Sequence, residues 1–494
     1  MKKQPQQGAK KSTGSLSNSA LARTPTVLSA FFLSLTSQLI PLQSIALDYD
    51  AEILIQTGYE SNPSLEESVN EESEQVSRAG LILTLANQRD WYNFESSYAI
   101  FREEYGDDTL TDQTNTVGST QLDVELIEDR LDFFSSHRVE QQRESIDDLD
   151  TADNQETITT LEGGLNFKIP VGKKAGVDLN AQAEDINIDA SENAQTQRPD
   201  SESYTGGITF SYYPTRSNSF SASVQRVESR RDGSDIDQES TLAFVGYSRV
   251  SRDFRYNFQV GQSRFTFGDS KDNGLFISGS ASYSTDSQSI ELSVDQQNAN
   301  TATGIISTDG DLDTIADSGL QVDSDSLIDS NSNSAVEVTR LTLEYGNNIC
   351  PRCDLNIFFS HVDTDFDEEF TEDAADFTGD SELDITDRKV NLATLSFDYR
   401  LSRNLSAIFD YEWQNTSFSG ENTVADTDFD EDTLALTLQW DVNNRLQLLA
   451  DASREERRAD GGGTRTNDSF TIAVNYLFLS NSPDKGRRST RFDF

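Results

Sequence analysis

The sequence predicts an all-β protein, a single transmembrane antiparallel β-barrel of about 20 strands, within a range of roughly 18–22. Three observations predict it. Apolar and polar residues alternate with period two along most of the chain, as in strands with one greasy and one polar face. Short turns alternate with long connections rich in Asp, Glu, Ser and Asn. Beyond the N-terminal leader, no segment reaches the ~18 consecutive apolar residues that would suggest a membrane-spanning helix.

Residues 1–46 read as a secretory signal peptide. They begin with Lys2, Lys3, Lys10, Lys11 and Arg23 and no acid, continue with the apolar run 27–40, and end with the small residues Ser44 and Ala46 at a cleavage site. Residues 47–494 are then the barrel. A first strand lies over 47–60 and a last over 465–479. Nine short turns lie between them, at 87–90, 128–130, 170–173, 214–218, 251–253, 285–287, 349–353, 401–404 and 441–444. The long connections include 61–75, 145–156, 299–333 and 365–387. The strand faces are explicit. Leu405, Ala407, Phe409, Tyr411 and Trp413 share one face, with Ile408 the exception on the other. Leu434, Leu436, Leu438 and Trp440 alternate with Thr433, Thr437 and Gln439, and Phe470, Ile472, Val474, Tyr476 and Phe478 repeat the pattern. In lipid every backbone N–H and C=O must be paired, so such a sheet has to close on itself. The apolar faces then meet lipid and the polar faces line the interior. Short turns belong on the periplasmic side and long acidic loops on the extracellular side. Trp91, Tyr92, Tyr212, Tyr213, Tyr399, Trp413 and Trp440 sit near strand ends, as interfacial girdles require.

Composition narrows the function. The formal net charge is −47, from 39 basic and 86 acidic residues, which excludes nucleic acid as a partner. Hydrophobic residues make up only 35% of the chain, a composition typical of disorder, but 28 Phe, 15 Tyr and 3 Trp oppose that reading. A soluble β-sandwich would also alternate, but this many strands would need several domains with linkers, and none is visible.

The chain ends RRSTRFDF, with Phe492 and Phe494 placed like the assembly signal of outer-membrane barrels. The segment SNSPDKGRR separates this tail from the strand ending near Leu479, so the tail is either a further strand or the true last one. Leader, strand number, acidic loops and terminal Phe together resemble the putative β-barrel porins of Gram-negative bacteria. The opening LDYDAEILIQTGYESNPSL, with Gly58, Tyr59, Ser61 and Asn62 at its strand end, is similar to the group often encoded near exopolysaccharide loci. The resemblance implies an outer-membrane pore or an accessory of polysaccharide export, and no catalytic residues.

The polar faces carry Glu95, Asp123, Glu125, Asp178, Glu184, Glu291, Asp295, Glu344, Asp398, Asp410, Glu412 and Asp451, together with Arg255, Arg340 and Arg400. In a wet lumen these lean negative and favour cations. In a sealed one they pair for structure. Cys350 and Cys353 flank a turn containing Pro351 in an oxidising compartment. A structural disulfide is the expectation, ahead of free thiols, zinc or redox chemistry. His137 and His361 stand in no catalytic motif, so no enzyme is expected. The runs at Asp309, Asp311 and Asp313, at Asp363, Asp365, Asp367, Glu368 and Glu369, and at Asp426, Asp428, Asp430, Glu431 and Asp432 space carboxylates two apart without an EF-hand pattern. No cofactor is expected beyond loosely held Ca²⁺ at such loops, shared with lipopolysaccharide.

The function expected is a porin-like passive diffusion channel with a cation-leaning lumen. The alternative is a non-conducting accessory of exopolysaccharide export or surface assembly. The partners expected are outer-membrane lipid and lipopolysaccharide, the barrel assembly machinery and, in the alternative, polysaccharide-export components. Segment 299–333 reads either as a constriction or as a disordered surface loop.

Overall fold

A computed structural model describes residues 47–62, 73–106, 112–143, 155–189, 200–231, 238–267, 270–285, 287–300, 335–366, 387–419, 428–459 and 464–481. Twenty strands fill them. The first ten are β1 (Asp48–Glu60), β2 (Glu74–Arg89), β3 (Tyr92–Tyr105), β4 (Gln113–Ile127), β5 (Leu131–Arg143), β6 (Gln155–Val171), β7 (Ala175–Asp189), β8 (Ser201–Thr215), β9 (Asn218–Arg231) and β10 (Gln238–Val250). They are followed by β11 (Phe254–Phe267), β12 (Ser270–Ser284), β13 (Gln288–Asn300), β14 (Ala335–Cys350), β15 (Cys353–Phe366), β16 (Asp387–Arg400), β17 (Leu405–Ser419), β18 (Phe429–Asp441), β19 (Leu446–Ala459) and β20 (Thr464–Ser480).

Each strand pairs antiparallel with its neighbours in sequence, and β1 pairs with both β2 and β20, so the sheet closes. Because β20 already closes on β1, the barrel needs no strand from the C-terminal tail. Phe492, Phe494 and the leader 1–46 lie outside the described residues. The nine short turns fall at one end of the barrel. At the other end the connections are not all long: 268–269 and 460–463 are brief. Segment 301–334 lies outside the described residues.

Cross-strand partners share a face. The apolar set Leu395, Phe397, Phe409, Leu436, Ala452 and Phe470 is linked pair by pair around the wall. Leu436 is 47% exposed and Trp440 49%. This face points outward, to lipid. A closed antiparallel barrel with an outward apolar belt is a protein of the cell outer membrane.

The strands are 13 to 17 residues long, whereas a tilted strand needs about 9–11 to cross. The surplus lies at the end away from the short turns, and there the two faces exchange character. Along β16 the outward residues Leu395, Phe397 and Tyr399 give way to Asn391, Lys389 and Asp387. The inward residues change oppositely, from Asp398 and Ser396 to Leu392 and Val390, the last only 2% exposed. β7 does the same: Leu179 and Ala181 outside yield to Asp185 and Asn187, while inside Asp178 and Asn180 yield to Ile186 and Ile188. On β18 Leu434 is followed upward by Asp432 and Asp430 outside, with Phe429 buried inside. The expectation of a uniformly polar interior is therefore corrected. Outside the bilayer the outer face of the wall meets water, so its apolar residues turn inward, as in a soluble barrel. Some inward apolar residues also lie within the belt: Phe244 and Phe276, with ring centroids 5.3 Å apart, adjoin outward Val245 and Leu275, and the buried cluster of Ile82, Ala99 and Phe101 is flanked by outward Leu81, Leu83 and Ile100.

Candidate functional site

The polar inner face at the level of the apolar belt is the candidate site. Register places all fifteen of the lumen residues named above on it. Glu95 lies opposite Ala86 and Gln121, on the face away from Leu85 and Phe94. Asp123 and Glu125 follow on β4. Asp123 accepts from Gln121 Nε2 at 3.1 Å, and Glu125 Oε1 accepts from the backbone N–H of Asp129 at 2.6 Å, fixing the turn below it. Asp129 itself has φ +57°, a left-handed conformation that Asp tolerates. Glu184 accepts from Ser203 Oγ at 3.0 Å and Asp451 from Thr437 Oγ1 at 2.7 Å. Asp410 and Glu412 lie opposite Ser396 and Thr394. Asp295 lies opposite Arg340, and Arg255 opposite Ser282. Arg400 Nη2 is 3.8 Å from Asp354 Oδ2.

Sequence reasoning missed several inward groups. Lys168 Nζ donates to Asp132 Oδ2 at 2.8 Å and stands opposite Asp178. Glu162 accepts from Ser136 Oγ at 3.0 Å and stands opposite Glu184. Counting Glu162, Asp354 and Asp132, four pairs of carboxylates face each other directly on neighbouring strands at this level: Glu162 with Glu184, Glu291 with Glu344, Asp354 with Asp398, and Glu125 with Asp132, the last beside Lys168. The alternation that pointed to their partners applies to Glu162 and Asp354 as well. The direct opposition follows from register, which depends on turn geometry.

Above the belt the inner wall carries buried ion clusters. Arg78 pairs with Glu103 and lies over the Phe101 ring, 5.2 Å from its centroid. Arg457 is 3.3 Å from Glu431 and 3.9 Å from the Phe429 centroid. Glu60, the last residue of β1 and beyond the belt, has its carboxyl pushed above the ordinary value of 4.5 by burial and by the neighbouring Glu103.

The two histidines face outward. Gly118 has φ +149°, and a Cβ there would meet Ser97 O at 2.2 Å. The Tyr98 side chain also lies close to that space, and its hydroxyl reaches His137 Nδ1. His137 thus serves a covered glycine in the wall. His361 Nδ1 lies 2.8 Å from Asn391 Oδ1, Asn391 Nδ2 donates to Asn415 Oδ1 at 3.3 Å, and Asn415 Nδ2 donates to Asp430 Oδ1 at 2.9 Å. This polar row marks the top of the belt on that side.

Cys350 and Cys353 form a disulfide across the β14–β15 turn, with Cα atoms 4.8 Å apart. Of the acidic runs, 309–313, 367–369 and Asp426 lie outside the described residues. In the run 428–432 alternation splits the carboxylates between the two faces, whereas Asp363 and Asp365 share the outer one. Asp430 and Asp432 face outward, where Asp432 Oδ1 accepts from Tyr411 at 2.7 Å, while Glu431 faces inward to Arg457. Asp363 pairs with Lys389 at 3.0 Å. Among the described residues no group of three or more candidate ligands could hold a metal ion.

No protein-family model matches the chain, and no curated protein matches it. Solved structures similar to it include the FrpB iron transporter of Neisseria meningitidis (9% identity, TM-score 0.44, covering 87% of this chain and 82% of that one). Also similar are the outer membrane protein opdK of Pseudomonas aeruginosa (8%, 0.37, 88% and 99%) and the siderophore receptor PirA of Acinetobacter baumannii (8%, 0.47, 88% and 81%). At these scores they add nothing to what the barrel's own geometry establishes.

Proposed function

We propose that this outer-membrane barrel is a porin-like passive diffusion channel whose acidic lumen favours cations. The directly opposed carboxylate pairs at belt level support this reading most. Like charges facing each other across neighbouring strands cost stability, and burying them dry costs far more. Water and mobile cations in an open lumen offset that cost, and the same field would raise the local cation concentration.

The test is the reversal potential of the refolded protein in a planar bilayer under a salt gradient. The expected result is ohmic steps with cation preference. Replacing one member of three of the pairs (Glu184→Gln, Glu291→Gln and Asp398→Asn together) should lower that preference without abolishing conductance. Silence from protein shown to be folded overturns the channel reading. That outcome would favour the second reading, a non-conducting accessory of exopolysaccharide export or surface assembly. One observation supports this second reading: the inner wall above the belt is closely packed, with Val338 2% and Val390 2% exposed beside the buried Arg78–Glu103 and Arg457–Glu431 pairs.

A further inference from the structure

The two ends of the barrel carry opposite charge. In the ten connections at the loop end, Arg198 is the only basic residue in sequence rich in Asp and Glu. The short turns differ. The turns 172–174, 216–217, 351–352, 401–404 and 442–445 contain no acid, and they carry Lys173, Lys174, Arg216, Arg352, Arg403 and Arg445, all exposed. These bases form two arcs. One spans the adjacent turns of β6–β7 and β8–β9, the other those of β14–β15, β16–β17 and β18–β19. Each arc sits just below an exposed, outward girdle aromatic, Tyr212 above the first and Tyr399 above the second. Girdle aromatics lie at headgroup depth, so the bases emerge at the level of lipid phosphates. In a chain of net charge −47 this placement is a strong local reversal.

We propose that the two basic arcs bind the headgroups of anionic phospholipid in the periplasm-facing leaflet. Flexible, exposed Lys and Arg beside an interfacial aromatic reach phosphate without desolvating fully, and their attraction to an anionic surface decays within a Debye length. The mechanism does not depend on whether the lumen conducts.

Trp440 reports on this directly. It faces lipid opposite Leu405, the residue after turn 401–404. Trp413 also faces outward but lies at the far side of the belt, beside Asp432. The full barrel is refolded into phosphatidylcholine vesicles in two backgrounds, one keeping only Trp440 and one only Trp413. Quenching by chain-brominated phosphatidylglycerol is compared with quenching by brominated phosphatidylcholine. Trp440 should show a preference for the anionic lipid of roughly five-fold, the factor one base near such a surface confers. Trp413 should show none. The preference should vanish in roughly 1 M salt and in the combined variant Lys173→Gln, Lys174→Gln, Arg216→Gln, Arg352→Gln, Arg403→Gln and Arg445→Gln, with folding confirmed by circular dichroism. Equal quenching of Trp440 by both lipids overturns the proposal; it is the result if the arcs instead serve an acidic soluble partner. A preference that survives in the folded variant overturns it too, because the bases would then not be its source.

Discussion

The membrane-level half of the wall and the half above it are built from the same strands with opposite rules. Below, Leu434, Leu436 and Leu438 face out and Thr437 and Asp451 face in. Above, Asp430, Asp432, Arg454 and Arg458 face out, while Phe429 and Arg457, stacked on it, face in. The difference lies in the solvent, not the backbone. Lipid takes the apolar side of a strand and water takes the polar one, so a strand that crosses the interface exchanges its faces at the crossing. The lumen inherits the consequence: an acidic region within the bilayer and, beyond it, a buried wall of apolar residues and ion pairs.

This comparison can be broken by substitution. On the inner face, Val390→Asp places a charge at a site 2% exposed and should cost about 3–5 kcal/mol. Ser396→Asp, inward on the same strand but at belt level, should cost less than about 1 kcal/mol. Urea unfolding of the refolded proteins checks both. If the two cost the same, the inner wall does not change character.

On the outer face the order reverses. Leu436→Arg should cost about 2–4 kcal/mol, as an arginine facing the bilayer midplane does. Thr241→Arg, outward beside Arg226 but above the belt, should stay within about 0.5 kcal/mol. The same unfolding assay decides.

The upper half should also respond to pH. Glu60 holds its proton more tightly folded than unfolded, because burial and Glu103 raise its carboxyl above 4.5. A group raised in this way favours the folded state at low pH. That stability is lost as pH climbs from 4.5 through the raised value. Glu60→Gln should therefore unfold at higher denaturant than wild type at pH about 7.5, with the gap closing at pH about 4.5. A gap that is constant with pH would rule out this role.

The smallest effect expected concerns the β14–β15 turn. Cys353→Ser opens the Cys350–Cys353 link and should lower stability by at most about 2 kcal/mol, the chain-entropy limit for so short a loop. It should leave both halves of the wall otherwise unchanged.

Much of this was legible in the sequence. Short turns count strands directly, because each joins two, and alternation assigns a face wherever one solvent governs the whole strand. That is why Glu291, Asp398 and Asp451 could be placed inward from parity alone. The exchange of faces was hidden for the same reason. In KVNLATLSFDY, Val390 and Leu392 occupy even positions and Leu395 and Phe397 odd ones, so a single-phase reading sees a broken pattern where the strand leaves the bilayer. Ile408, noted as an exception, showed that parity can fail even within the belt. The directly opposed carboxylates needed register, which a sequence gives only through turn geometry. The role of His137 needed Gly118 and Tyr98 on two other strands.

The most direct test of the exchange is a cysteine scan along β16, residues 387–400, in liposomes, in a background with Cys350 and Cys353 replaced. A small water-soluble thiol reagent is added to the outside and the lumen. Reaction is expected at the outward positions 387 and 389 and the inward positions 396 and 398, with protection at outward 395 and 397 and inward 390 and 392. Protection of every outward position from 387 to 399, with reaction at every inward one, would contradict the account and describe a wall that keeps one apolar face along its whole length.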